Sequence, residues 1–205
     1  YAIAKISGLK LCEAYNNQYN KKLPKFITII PPNLFGSNDN YSSQNSHVLA
    51  ALLKKFYLAK KRNLKKISIW GTGRPRREFL YSIDAANMII DIMELSEKHI
   101  LKYTKGKFSH INIGSGNDYT INTIVSIIKK ISGFNGKIQF DKNYPDGVKR
   151  KLLNINLLKK LSPKSIDKKV ANRKFFEANI EKIYKELNDE KFEKFEKNNT
   201  FNLPV

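Results

Sequence analysis

Short apolar runs rich in β-branched residues alternate with longer amphipathic segments along this chain, and this alternation restricts the fold more than any other feature. The pattern predicts strands at residues 26–32 (FITIIPP), 67–70 (ISIW), 110–116 (HINIGSG) and 137–141 (KIQFD). The first run ends in two prolines, which lead it out of the strand into a loop. Strands separated by whole helices are typical of an α/β fold, which is the fold class we expect.

Helical periodicity marks the segments between and beyond these strands. Apolar residues at helical spacing predict helices at residues 2–19, 47–61, 83–95, 121–131 and 155–196. Ser46 and Thr120 are placed to cap the N-termini of the second and fourth of these helices. The stretches rich in Gly, Asn, Ser and Pro are predicted to be loops, at residues 33–46, 71–77 and 143–151.

The composition excludes several classes of protein. No apolar run approaches the roughly 18 residues that a membrane span needs, so we expect no membrane association and a cytoplasmic location. Cys12 is the only cysteine of the 205 residues, which excludes an intrachain disulfide and a cysteine-based zinc cluster. We expect no metal site.

The charge is strongly positive but spread along the chain. Of the net charge of +20, residues 1–150 carry +15 and residues 151–205 carry +5. A nucleic-acid binder more often concentrates Lys and Arg on one stripe, so we expect no specific nucleic-acid partner and interpret the excess as a Lys-rich solvated surface. A non-catalytic protein that binds polyanions at low salt is the alternative.

Tyr1 and Lys5 are four residues apart, which places both on one face of a helix. An ammonium about 4 Å from a phenolate is worth roughly 4 kcal/mol at an effective dielectric constant near 20. That interaction could lower the pKa of the phenol by about three units, because one unit corresponds to about 1.4 kcal/mol. The pair could therefore transfer a proton beside a carbonyl that undergoes hydride transfer.

Spacing alone does not single out this pair. With 10 Tyr and 32 Lys in 205 residues, chance predicts about 1.6 pairs of the form Tyr-x-x-x-Lys. Three are present, and the other two are Tyr57/Lys61 and Tyr103/Lys107. We expect these two to face solvent, the last of them in a loop.

Six ordered blocks between Tyr1 and about Leu158 give the first pair a wider context. They are YAIAKISGLKLCEAYNNQY, PPNLFGSNDN, NSHVLAALLKKF, WGTGRPRREFL, HINIGSG and PDGVKRKLL. In this order the blocks resemble the GDP-L-fucose synthases, which are epimerase/reductases of the extended short-chain dehydrogenase/reductase family. The residues after Leu158 show little of the resemblance.

The resemblance implies the C-terminal part of such an enzyme, beginning at its catalytic tyrosine, with a partial Rossmann parallel sheet and a smaller α/β substrate-binding domain. Residues 1–36 would end the dinucleotide-binding domain. Residues 37–205 would mainly form the substrate-binding domain, with residues 108–116 returning to the Rossmann sheet. The glycine-rich half, a triad serine and a catalytic cysteine would lie upstream, and the fragment alone would be inactive.

Residue roles follow from the resemblance position by position. Tyr1 corresponds to the proton donor in ketone reduction, and Lys5 to the residue that lowers its pKa and holds the nicotinamide ribose. His47 corresponds to the general acid of epimerisation and also contacts the cofactor. The other matched positions contact NADPH, at Pro31, Pro32, Asn33 and Leu34, or a GDP-sugar, at Lys55, Trp70, Arg77 and Asp146. Cations and a flat apolar ring also suit a nucleotide sugar on physical grounds.

The implied reaction is the NADPH-dependent conversion of GDP-4-keto-6-deoxy-D-mannose to GDP-L-fucose, by a homodimer formed through the helix that carries Tyr1. A related epimerase/reductase acting on another nucleotide sugar is an alternative. Each site residue also has a structural alternative. Tyr1 could be an ordinary terminal residue, and His47 could be a capping or surface histidine. Trp70 could lie in the core, Lys55 and Arg77 could be solvated cations, and Asp146 could simply form a turn. Cys12 is expected to be a small core residue.

Overall fold

The computed structural model describes residues 1–19, 25–41, 46–104, 110–166 and 170–187. Within these ranges the helices are α1 Ala2–Tyr19, α2 Val48–Lys61, α3 Ser82–Met93, α4 Glu97–Thr104, α5 Ile121–Ser132, α6 Asn156–Leu161 and α7 Arg173–Glu186, with a 3-10 turn at Pro163–Ile166. The strands are β1 Thr28–Ile30, β2 Asn33–Phe35, β3 Lys66–Trp70, β4 Arg76–Tyr81, β5 His110–Asn112, β6 Asp118–Thr120, β7 Lys137–Asp141 and β8 Arg150–Lys151.

The strands pair mainly in parallel across helical connections, which confirms the α/β class. β1 pairs with β5, β2 with β4, and β3 with β7, all in parallel. β4 also pairs in parallel with β8 and antiparallel with β6. The β1–β5 pair is the contact that a return of residues 108–116 to the first sheet requires, although residues 108 and 109 lie outside the described part. The division into two domains stays a prediction.

Two apolar clusters hold these elements together. The larger one lies between α2, α5, α7 and the β3–β7 pair, and its fully buried members include Leu53, Phe56, Ile124, Ile128 and Ile180. The smaller one joins β5 to α3 and α6, through residues that include Leu80, Met88, Ile111, Ile113 and Leu158. Helices α2, α3, α5 and α7 each bury one apolar stripe, as their spacing predicts.

Helix ends confirm one predicted cap and correct another. Thr120 caps α5, since its side-chain oxygen accepts a hydrogen bond from the backbone N–H of Thr123 at 3.0 Å. The prediction that Ser46 caps α2 was wrong by one residue, because His47 occupies the N-cap position with an extended backbone.

The predicted helix over residues 155–196 is interrupted: α6 ends at Leu161, and Pro163 lacks the N–H that a continuous helix needs. Residues 188–196 lie outside the described part.

Several short elements were not predicted. β4 begins at Arg76, inside the stretch assigned to a loop, and continues to Tyr81. β2, β6 and β8 also lie in stretches without a strand prediction, and α4 includes Tyr103, which was placed in a loop. Such short strands have too few residues to show an alternation of apolar and polar positions. They form because they pair with neighbouring strands of the sheet.

Helix α1 stands apart from both apolar clusters. Ile3, Ile6 and Leu11 are exposed, and the only buried residue of the helix is Asn16. Asn16 ties the helix to the segment before β1, because its side chain donates to the carbonyl of Phe26 at 2.8 Å and accepts from the N–H of Phe26 at 2.9 Å. Cys12 is half-buried rather than a core residue, so that expectation was wrong.

A buried carboxylate on β4 connects four segments of the chain. The side chain of Glu78 accepts hydrogen bonds from the N–H of Gly116 at 2.7 Å, the hydroxyl of Ser115 at 3.3 Å and the N–H of Leu153 at 2.9 Å. Its backbone carbonyl accepts from the side-chain amide of Asn33 at 2.9 Å. Glu78 is fully buried, and this burial raises its pKa despite the three donors, which act in the opposite direction.

We predict that Glu78→Gln removes a pH dependence of stability. The raised pKa means that the folded state binds the proton more tightly than the unfolded state, whose pKa is the ordinary 4.5. The stability that this proton provides is complete below the unfolded value and is lost as pH rises through the folded pKa. The free energy of unfolding of the wild type should therefore fall over that window relative to Glu78→Gln.

Urea unfolding at a series of pH values measures this difference. The variant should be less stable overall, because its amide N–H₂ meets the N–H of Leu153 in place of an acceptor. Replacement of the exposed Glu94 by Gln is the matched control and should leave the pH profile of the wild type unchanged. Parallel profiles for the wild type and Glu78→Gln would contradict the prediction.

Candidate functional site

Tyr1 and Lys5 meet at the start of α1. The backbone N–H of Lys5 donates to the carbonyl of Tyr1 at 3.1 Å, which continues the helical hydrogen bonding back to the first residue. The ammonium of Lys5 lies over the phenol ring, 5.3 Å from its centroid. The Tyr1 side chain is 97% exposed, so its hydroxyl is open to a substrate. The structure thus brings the pair together in a cation–π contact.

The other two Tyr-x-x-x-Lys pairs have different surroundings. Tyr57 is buried in the larger apolar cluster, so the expectation that it faces solvent was wrong. Tyr103 lies on α4 and packs against the smaller cluster, with its ring 5.2 Å from the ring of His99. Lys107 lies outside the described residues. Tyr57 is buried and Tyr103 is half-buried, so neither is as exposed as Tyr1.

His47 presents its ring to solvent at the start of α2. Its backbone carbonyl accepts the first helical hydrogen bond, from the N–H of Ala51 at 2.9 Å. The side chain makes no capping hydrogen bond, and the residue is exposed. The imidazole does not cap the helix through its side chain, and its exposure is compatible both with a surface histidine and with a ring that transfers a proton.

Residues 31–34 follow the carboxyl end of β1, where parallel sheets open a crevice. Pro31 and Leu34 are exposed there, whereas Pro32 and Asn33 are half-buried. Asn33 is held in place by its hydrogen bond to the carbonyl of Glu78. The exposure of Pro31 and Leu34 and the fixed side chain of Asn33 are compatible with a segment that lies against a flat ligand such as a nicotinamide.

Lys55 is not a freely solvated cation. Its ammonium donates to the carbonyl of Ser68 on β3 at 2.8 Å, and partial burial lowers its pKa. This bond holds the ammonium at Ser68, which lies two residues before Trp70 on β3.

Trp70 lies at the surface, at the carboxyl end of β3. Its indole is 65% exposed, so the alternative of a core tryptophan was wrong. The ring of Tyr144, in the loop after β7, stacks on it with centroids 4.4 Å apart and planes inclined by 9°. The two rings form a flat apolar surface that no sequence pattern had indicated.

Arg77 and Asp146 are fixed beside these rings by the same two loops. The guanidinium of Arg77 donates to the carbonyl of Val148 at 2.7 Å. The carboxylate of Asp146 accepts from both the N–H and the hydroxyl of Thr72, each at 2.6 Å. The bonds from Thr72 lower the pKa of Asp146, with smaller contributions from Arg74 and Arg77. Asp146 therefore ties two loops together and is more than a turn residue.

The structure gathers part of the predicted site and leaves part of it separate. Trp70, Arg77 and Asp146 share the surface formed by the loops at residues 71–75 and 142–149, and Lys55 adjoins it through β3. Within the described part of the chain, hydrogen bonds and ring contacts do not link the Tyr1–Lys5 pair or His47 to this group. Sequence reasoning missed Thr72 and Tyr144, because their partners are 74 residues away along the chain.

Part of the positive charge near this surface is already neutralised. Asp118 accepts hydrogen bonds from the guanidinium groups of Arg76, at 2.8 Å, and Arg150, at 2.5 Å. In the described residues, three or more His, Cys, Asp or Glu side chains do not gather where a metal ion could bind. The helices in the same ranges include none with the length and hydropathy needed to cross a membrane.

The parallel strand pairs and their helical connections form a Rossmann-like α/β fold. Residues 1–114 match the model of the NAD dependent epimerase/dehydratase family. Because this match covers more than half of the chain, the chain belongs to that family.

Two curated relatives of the chain are GDP-L-fucose synthases. The GDP-L-fucose synthase of Escherichia coli (strain K12) is 44% identical over 161 residues, which are 78% of this chain and 49% of that protein. The probable GDP-L-fucose synthase 1 of Oryza sativa subsp. japonica is 38% identical over 78% of this chain and 45% of its own length. The chain thus spans about half the length of these curated relatives.

Solved structures give the same result. The GDP-L-fucose synthetase of Naegleria fowleri superposes with a TM-score of 0.76 at 27% identity, over 94% of this chain and 55% of that one. The GDP-mannoheptose C4 reductase of Campylobacter jejuni, solved with NADP bound, gives a TM-score of 0.70 at 30% identity, over 91% of this chain and 59% of that one. Both likenesses support the α/β assignment.

We predict that Thr72→Val raises the pKa of Asp146 towards its ordinary value of 3.8. Valine keeps the N–H donor to one carboxylate oxygen and removes the hydroxyl donor to the other, which is the largest cause of the lowered pKa. A carbon-13 NMR titration of the Asp146 carboxyl group measures the shift. Thr123→Val, which removes a hydroxyl far along the chain, is the control; an unchanged pKa in Thr72→Val would contradict the prediction.

Proposed function

We propose that this chain is part of a GDP-L-fucose synthase, which converts GDP-4-keto-6-deoxy-D-mannose to GDP-L-fucose with NADPH. The observation that carries the proposal is the surface on which Trp70, Arg77 and Asp146 meet, in a chain that also presents an exposed Tyr1–Lys5 pair. The 44% identity to the Escherichia coli enzyme supports the choice of substrate. A fragment that spans half of such an enzyme is expected to be inactive alone.

Each site residue has a defined task in this reaction. A base supplied from outside this sequence removes a proton from the carbon on either side of the C4 ketone, and His47 returns a proton to the opposite face, which inverts C3 and C5. Tyr1 then donates its phenolic proton to the C4 oxygen while that oxygen becomes a hydroxyl. Lys5 stabilises the phenolate that remains.

The residues after β1 suit the cofactor that this reaction needs. NADPH supplies the hydride to C4 when it is bound. Pro31 and Leu34 are exposed after the carboxyl end of the strand. Asn33 keeps this segment in place through Glu78, and Lys5 lies one helical turn from Tyr1, where its ammonium can bind ribose hydroxyls.

The assembly and the location are finer parts of the same proposal. A homodimer formed through α1 would cover Ile3, Ile6 and Leu11, which are exposed along that helix. We propose a cytoplasmic location.

We predict that Tyr1→Phe in the full-length protein lowers the rate of NADPH oxidation with the keto sugar by a factor of roughly 100 to 10,000, the usual contribution of a general acid. Absorbance at the NADPH band measures the rate. Tyr19→Phe, at the other end of α1, is the matched control and should retain the wild-type rate. An undiminished rate in Tyr1→Phe would remove Tyr1 from the mechanism.

An epimerase/reductase of the same family with another substrate is the second candidate, favoured by the structural likeness to the GDP-mannoheptose C4 reductase. The variant His47→Gln separates the two. Under the main proposal it should abolish the inversion at C3 and C5, observed by NMR of the sugar product. His99→Gln is the control, because the ring of His99 is bonded to the carbonyl of Leu161 on the far side of α4. Retained product formation in His47→Gln would favour an enzyme without that acid.

A further inference from the structure

We propose that Tyr144 is a further substrate-binding residue and that, with Trp70, it forms a two-ring platform for the purine base of a nucleoside diphosphate. The inference rests on the proposed function for the class of ligand. It adds a residue and a subsite that the resemblance does not assign.

The geometry of the two rings leaves a face open. The indole and the phenol stack almost in parallel, 4.4 Å apart, so each covers one face of the other. Trp70 is nevertheless 65% exposed and Tyr144 is 42% exposed. Large aromatic rings that remain exposed next to polar groups are typical of ligand surfaces. A planar base can extend the stack on its open side.

Hydrogen bonds hold the loop that carries Tyr144 at a fixed position relative to Trp70. The N–H of Gly71 donates to the carbonyl of Asp141 at 2.8 Å, directly after Trp70 in the chain. At the far end of the loop, the N–H of Arg76 donates to the carbonyl of Lys149 at 2.8 Å. The Thr72–Asp146 bonds lie between these two. Tyr144 is therefore placed before a ligand arrives, which reduces the entropy lost on binding.

The charges beside the platform match the rest of a nucleoside diphosphate. Arg77 donates to the carbonyl of Val148, and both Arg77 and Arg74 help to lower the pKa of Asp146, two residues after Tyr144, so a diphosphate bound near Asp146 would meet these cations. Each oxygen of the Asp146 carboxylate accepts one bond from Thr72 and has a further lone pair for a ribose hydroxyl or a base N–H. In this arrangement the two rings bind the base, the arginines bind the diphosphate and the carboxylate binds the sugar.

Calorimetric titration of the full-length protein with GDP, and with pyrophosphate as a competitor that lacks a base, tests the platform. Tyr144→Ala should weaken GDP binding roughly threefold to tenfold, as expected for loss of one aromatic stacking contact. It should leave the affinity for pyrophosphate unchanged. Tyr144→Phe keeps the ring and should bind GDP within about twofold of the wild type. Tyr19→Ala, which removes the outer ring of the Tyr15–Tyr19 stack, is the control and should bind GDP normally.

Two results would overturn the inference. Wild-type GDP affinity in Tyr144→Ala would mean that the phenol does not contact the base. An equal loss for GDP and pyrophosphate would mean that Tyr144 acts only by positioning Asp146 and Arg77. Turnover of the keto sugar is measured separately: if the protein fails to oxidise NADPH but shows the expected GDP pattern, the proposed reaction is wrong and the platform stands.

Discussion

The buried carboxylate of Glu78 is the interaction on which the rest of this structure depends. One side chain satisfies donors from the turn after β5 and from the segment after β8, and its backbone carbonyl holds Asn33 after β1. Arg77 precedes Glu78 on the same strand, and its guanidinium donates a hydrogen bond to the carbonyl of Val148. A carboxylate is suited to this place because an apolar residue would leave two backbone N–H groups without acceptors.

The elements that could be predicted from sequence are those whose signals are local. The β-branched runs of β3 and β7 and the cap at Thr120 depend on neighbouring residues alone, and the structure confirms them. β4 could not be recognised, because it begins with two arginines and a glutamate, a composition typical of a loop. Its strand conformation comes from pairing with β2, β6 and β8, which are distant in the chain.

The contrast between local signals and distant contacts applies to the candidate site as well. Resemblance supplied the identities of Trp70, Arg77 and Asp146, but their partners follow from contacts across about seventy residues of chain, where no periodicity operates. The exposure of Trp70 and the bond from Lys55 to Ser68 reverse the expectations that composition favours for these residue types. The roles of Tyr1, Lys5 and His47 stay predictions, although the Tyr1–Lys5 contact and the open ring of His47 are compatible with them.

The loop between β7 and β8 is held by hydrogen bonds at its two ends, through backbone atoms, and at its middle, through Thr72 and Asp146, so none of these hydrogen bonds uses the side chain at position 144. Substitution there changes what the loop offers to a ligand without changing the path of the loop. Such a position can accept mutation at little cost in stability, and selection for a new nucleotide could act on it first. The hydrogen bonds of the loop thus separate the path of its backbone from the side chain that it presents at position 144.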